Sequence, residues 1–86
     1  MMELDLHGTR HEDVDREVEN FILLSTVPSK IITGNSDIMK ELTIRVIKRH
    51  GFDWKYDVPN YGCIVVTEST EQQVKRIEME LYEGEG

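Results

Sequence analysis

From Glu3 to His7 polar and apolar residues alternate, with Leu4 and Leu6 on one face and Asp5 and His7 on the other. Alternation of period two predicts a half-buried strand, and Gly8 breaks it. After the break, Thr9 and Glu12 stand in the Thr-x-x-Glu relation of a capping box, and Val14, Val18, Phe21 and Ile22 recur at helical spacing. A helix over about residues 10–24 is expected, ended by Val27 and Pro28. Lys30-Ile31-Ile32-Thr33 is short, apolar and rich in β-branched residues, the mark of a second strand. Gly34-Asn35-Ser36 is turn chemistry, with Ser36 placed to cap a second helix. Ile38, Met39, Leu42, Val46 and Ile47 would form its apolar face, and Gly51 would stop it after His50.

The last third begins as a hairpin. Trp54, Tyr56 and Val58 alternate with Asp53, Lys55 and Asp57, Pro59-Asn60-Tyr61-Gly62 reads as the turn, and Cys63-Ile64-Val65-Val66-Thr67 is an apolar strand suited to the centre of a sheet. Ser69 or Thr70 can cap a final helix over about residues 70–82, with a stripe of Val74, Ile77 and Leu81, before a frayed Glu83–Gly86 tail. Strands joined through a helix run parallel with a right-handed crossover. The expected fold is therefore α/β, a two-layer sandwich. A βαβαββ core carries a mixed four-stranded sheet, with an extra C-terminal helix partly over the open face above Cys63 and Val65. Nothing in 86 residues suggests a linker or a repeat, so residues 1–86 read as one domain with its core at about 3–67.

Composition narrows the function classes. At 38% hydrophobic and 31% charged, the chain is too apolar for a disordered tail. No apolar run approaches the roughly 18 residues of a membrane span, and Met1-Met2-Glu3-Leu4-Asp5-Leu6 lacks the regions of a signal peptide. A lone cysteine, Cys63, fits a reducing, cytoplasmic home, and at the start of a buried strand it reads as a small hydrophobe. The net charge of −7 has the wrong sign for holding nucleic acid by bulk electrostatics. Residues 30–57 are the exception, with six basic and four acidic side chains. Any basic footprint comes from there.

In a parallel pair both strands finish at one edge of the sheet, so the loops after His7 and Thr33 should be neighbours. Each opens a helix, and helix N-termini offer amide groups and the positive end of a dipole. An anion held between Gly8-Thr9 and Gly34-Asn35-Ser36 follows, and plain turn glycines are the alternative. Asp5 and His7, two apart on one strand, would project together near that edge, the carboxylate orienting an imidazole suited to proton transfer at neutral pH. The alternative is the solvated polar face of an edge strand. As metal ligands the two would need a third, His11 or His50, which no spacing requires. Lys40 lies one turn beyond Ser36 and can reach an anion there, whereas Arg45 has Glu41 four residues before it on the same face. Trp54 and Tyr56 can stack on bases, although strand period makes them core candidates.

The run Leu4-Asp5-Leu6-His7-Gly8-Thr9-Arg10, followed by an acidic amphipathic helix, resembles the opening L-D-L-H-G-x-R/T of the Smr (small MutS-related) domain family. The family's second motif, a strand and H-G-x-G before a helix, lines up with Ile31-Ile32-Thr33-Gly34-Asn35-Ser36. Met39, Thr43, Ile47 and His50 fall where the family has L, V, L and H. Gly62-Cys63-Ile64-Val65-Val66 looks like the end of its G-x-G-x-T-x-V segment. The likeness covers about residues 3–67. Thr33 stands in place of the usual His, Ser36 in place of the second Gly, and the loop is about one residue short. The resemblance implies the fold of the C-terminal domain of bacterial initiation factor three. It also implies an endonuclease that nicks DNA or cuts RNA, with Asp5 and His7 as the catalytic D-x-H. Gly8, Thr9, Arg10, Thr33, Gly34, Asn35, Ser36 and Lys40 would surround the phosphate. With RNA the substrate's own 2′-OH can attack without a metal. With DNA water must attack, and a divalent cation at Asp5 would serve it. The alternative is a non-catalytic nucleic-acid or ribosome-associated module, working with a larger nucleic-acid-processing or ribosomal partner.

Overall fold

The structure, a computed structural model, describes residues 1–69. In chain order the elements are β1 Glu3–Asp5, α1 His11–Leu24, β2 Ser29–Ile32, α2 Asp37–Arg49, β3 Asp53–Asp57 and β4 Asn60–Thr67. The sheet order is β1-β2-β4-β3. β1 runs parallel to β2, with Leu4 opposite Ile31 and Asp5 opposite Ile32. β4 runs antiparallel to both β2 and β3, inside the sheet as its apolar run requires. This is the expected α/β fold with a mixed four-stranded sheet. The helix expected at about 70–82, and its place above Cys63 and Val65, lie outside the described residues.

Period-two and helical patterns meet in one core. Ile31, Ile64 and Val66 of the sheet pack with Val14, Val18 and Ile22 of α1 and with Met39, Val46 and Ile47 of α2, and Leu6 joins them just past β1. Each fully buried aliphatic side chain of this kind contributes about 1.5–3 kcal/mol. Trp54 and Tyr56 pack half-buried against this cluster, so their strand period serves the core. Cys63 is a buried free thiol. Between the helices, the Arg49 guanidinium grips the Asp15 carboxylate with both terminal nitrogens and lies 3.8 Å from Glu19, while His50 Nε2 sits 3.4 Å from Glu19 Oε1. The hydrogen bond from Arg49 holds the Asp15 carboxyl below its ordinary value, and Asp15 in turn raises Arg49. On the sheet, Lys30 reaches across β4 to Asp57 at 3.0 Å, and that bond raises the lysine.

Local details depart from the sequence expectations where side chains compete for backbone groups. β1 stops at Asp5, not His7, because the His7 N–H donates to Asp5 Oδ1 at 2.9 Å and Thr9 N–H donates to the Leu6 carbonyl. That turn leaves Thr9 one residue short of the capping position. Arg10 is the N-cap of α1 and makes no side-chain cap bond, so the Thr9–Glu12 capping box does not form. Ser36 does cap α2, its Oγ accepting from Met39 N–H at 3.2 Å. The buried stripe of α2 is Met39, Thr43, Val46 and Ile47, and Ile38, expected on that face, is 56% exposed. In the hairpin Asp57 pairs with Asn60, so Val58-Pro59 alone makes the turn and β4 begins three residues earlier than expected.

Candidate nucleic-acid interface

The Leu6 N–H donates to Ile32 O at 2.9 Å, extending the parallel β1–β2 pairing to the last residue before each loop. The loops His7–Arg10 and Thr33–Ser36 therefore leave the sheet side by side. Gly8 and Gly34 turn the chain with φ of +81° and +69°, in the left-handed region where a Cβ is costly. Because β4 is antiparallel to β2, its first residues reach the same edge. Gly62 lies against Gly34, and an added Cβ there would stand 3.3 Å from Gly34 Cα and C and 3.2 Å from Asn60 Oδ1. The close approach that needs glycine is thus at Gly62, a residue the sequence pattern assigns to a turn.

The Gly62 carbonyl organises the second loop. It accepts from Thr33 N–H at 2.8 Å, from Gly34 N–H at 3.0 Å and from Thr33 Oγ1 at 3.2 Å. Thr33 is buried, and its hydroxyl also meets Gly34 O at 3.1 Å. The amides of Thr9, Thr33 and Gly34 are therefore engaged inside the protein. The amides of Gly8, Asn35 and Ser36 have no hydrogen-bond partner among the described residues. These three belong to the two loops that leave the sheet side by side.

Charge at the edge is sparse. Asp37 sits in the first turn of α2, and Glu12 and Asp13 sit in that of α1, where they already complement the dipoles. Arg10 stands 3.6 Å from Glu12, both highly exposed, so its charge is partly met. Lys40 makes no ion pair among the described residues and holds its Nζ 5.7 Å from the centroid of the Tyr56 ring. Arg45, by contrast, is bonded to Glu41 at 3.1 Å.

Asp5 and His7 are both exposed, at the end of β1 and in the turn that follows. They meet through carboxylate and main-chain amide, not carboxylate and imidazole. Asp5 fixes the turn that carries His7, and the His7 side chain is exposed there. A shallow depression of about 540 Å³, lined by Thr9, Arg10, His11 and Glu12, opens beside it. Another, of about 570 Å³, is lined by Met1, Val27, Lys55, Asp57, Val65 and Thr67, away from His7 and Gly34. Among the described residues no three His, Cys, Asp or Glu side chains gather as metal ligands, and Asp5 alone does not make a resident metal site. His11 and His50 do not join it. No helix among the described residues is long and apolar enough to cross a membrane.

Compared with models of protein families, with curated proteins and with solved structures, the chain finds no match. Geometry alone therefore speaks for the site. The sequence pattern assigns Gly62 and Tyr61 to a turn and gives Asp37 no part. Asp37 follows directly on a capping serine, which is the usual place for an acid in a first turn, and that signal was available.

Proposed function

We propose that this chain is an Smr-like nucleic-acid-acting domain, an endonuclease that holds the scissile phosphate between the loops after β1 and β2. The observation that carries this reading is the Leu6–Ile32 hydrogen bond, which sets the His7 turn beside the Gly34–Ser36 loop. Amides of Gly8, Asn35 and Ser36 and the ammonium of Lys40 are the groups available to the phosphate oxygens. His7 is the proton-transfer group. With RNA, the imidazole takes the proton of the 2′-OH, the 2′ oxygen attacks phosphorus, and the bond to the 5′ oxygen breaks. The departing oxygen takes a proton from water, leaving a cyclic phosphate. That sequence asks only for proton transfer and charge stabilisation, which these residues supply. Asp5 acts by holding the turn. A cytoplasmic setting and a larger nucleic-acid-processing or ribosomal partner belong to the same reading.

A second reading, a binding module without catalysis, is favoured by one specific observation. Thr33 occupies the place of the second-motif histidine and is buried with its hydroxyl committed to Gly62 and Gly34. One experiment separates the two: purified protein with labelled single- and double-stranded RNA and DNA, with and without EDTA, beside His7→Ala. The nuclease reading expects cleavage that survives EDTA on RNA and falls by about 10²–10⁴-fold in His7→Ala. Binding without cleavage establishes the module. Cleavage retained by folded His7→Ala places the chemistry elsewhere.

A further inference from the structure

Beside the second loop stands an aromatic and cationic cluster that the phosphate site does not use. Tyr61, 55% exposed, meets Tyr56 at 5.3 Å between centroids with the rings at 67°, and Tyr56 meets Trp54 at 5.1 Å and 84°. An edge-to-face chain of this kind locks the inner rings while its outermost member keeps ring surface toward solvent. Lys40, with no carboxylate partner among the described residues, lies over Tyr56. The neighbour of Tyr61 in the chain, Gly62, touches Gly34. An exposed ring, an uncompensated ammonium and the phosphate loop thus adjoin one another.

We infer that Tyr61 is a stacking platform for one unpaired nucleobase, so that the ligand of this site is single-stranded nucleic acid, the nucleotide's phosphate lying toward Lys40. The inference rests on the nucleic-acid reading above and deepens it. A net charge of −7 denies the protein a broad attractive field, so affinity has to come from contacts that charge does not supply. Stacking of a base on an aromatic ring is such a contact, and by alanine substitution it is worth roughly 5- to 150-fold in affinity per base. Bases within a duplex are already stacked on their neighbours and cannot use it. The hydroxyl of Tyr61 has no part in this.

The test is fluorescence anisotropy with a labelled oligonucleotide of RNA and of DNA, each as single strand and as blunt duplex, on wild type, Tyr61→Ala and Tyr61→Phe. Circular dichroism confirms that each variant is folded. The expected result is tighter binding of single strands than duplexes by wild type, at least about fivefold weaker single-strand binding by Tyr61→Ala, and wild-type affinity restored in Tyr61→Phe. Single-strand affinity unchanged in Tyr61→Ala, or a preference for duplex, overturns the stacking inference and leaves the nucleic-acid reading standing. Binding of none of the four probes by wild type overturns both.

Discussion

Thr33→Val separates a scaffold role from a ligand role at the centre of the second loop. The change keeps the shape of a buried side chain and removes one hydroxyl, 3.1 Å from Gly34 O and 3.2 Å from Gly62 O. A hydroxyl has one proton, so about one hydrogen bond is lost. The Gly62 carbonyl keeps its donors from Thr33 N–H and Gly34 N–H, and the Gly34 carbonyl belongs to an exposed residue that water can reach. The expected cost is therefore about 0.5–1.5 kcal/mol, without the larger penalty of an unsatisfied buried group. For a domain of this size, 1 kcal/mol lowers the melting temperature by about 4–8 °C. Thermal and urea melts followed by circular dichroism read that shift, and anisotropy on a labelled single strand reads affinity from the same samples. Affinity should stay within about twofold, the range of substitutions that touch no ligand. An unchanged melting temperature together with a tenfold loss of affinity would overturn the scaffold role, because it would put the hydroxyl on the ligand.

Lys40→Ala should weaken single-strand binding and reduce the slope of log K against log salt by about 0.7, the contribution of one phosphate contact, as a salt titration will show. Arg45→Ala should do less, since Glu41 at 3.1 Å already meets that charge. Gly62→Ala should cost about 1–3 kcal/mol in urea melts by pressing a Cβ against Gly34 backbone. Gly34→Ala meets open space and should cost about 1–2 kcal/mol through its positive φ alone. Because Arg49 depresses the Asp15 carboxyl below its ordinary 3.8, the pair stabilises the fold above that value and is lost as pH falls through the depressed one. Arg49→Met should accordingly flatten the acid limb of the stability–pH profile while leaving its alkaline limb unchanged.

The elements were legible because each one repeats its own signal: alternation at Leu4 and Leu6, helical spacing at Val14, Val18 and Ile22, a capping serine before Met39. Their ends were less so. At His7 the carboxylate of Asp5 captures the main-chain amide, and a strand that periodicity would carry onward becomes a turn. The Thr9 cap failed for the same reason, displaced by a turn that no spacing rule contains. At the site, the sequence pattern brought the two loops to one edge because parallel pairing demands it. It could not show that Gly62, 29 residues beyond Thr33, supplies the carbonyl that takes the Thr33 and Gly34 amides and leaves those of Asn35 and Ser36. Nor could it separate Tyr56, which the core takes, from Tyr61, which solvent keeps. Both are tyrosines near a hairpin, one on β3 against the core and the other at the exposed start of β4.

On the proposed function, nucleic acid meets this protein at the edge where β1 and β2 end. Amide chemical-shift mapping of isotope-labelled protein, titrated with a short single-stranded RNA, tests it most directly. The amides of Gly8, Asn35, Ser36 and Tyr61 should move together and saturate at one concentration. Shifts confined to the amides of Val27, Lys55, Val65 and Thr67, around the other depression, would contradict it.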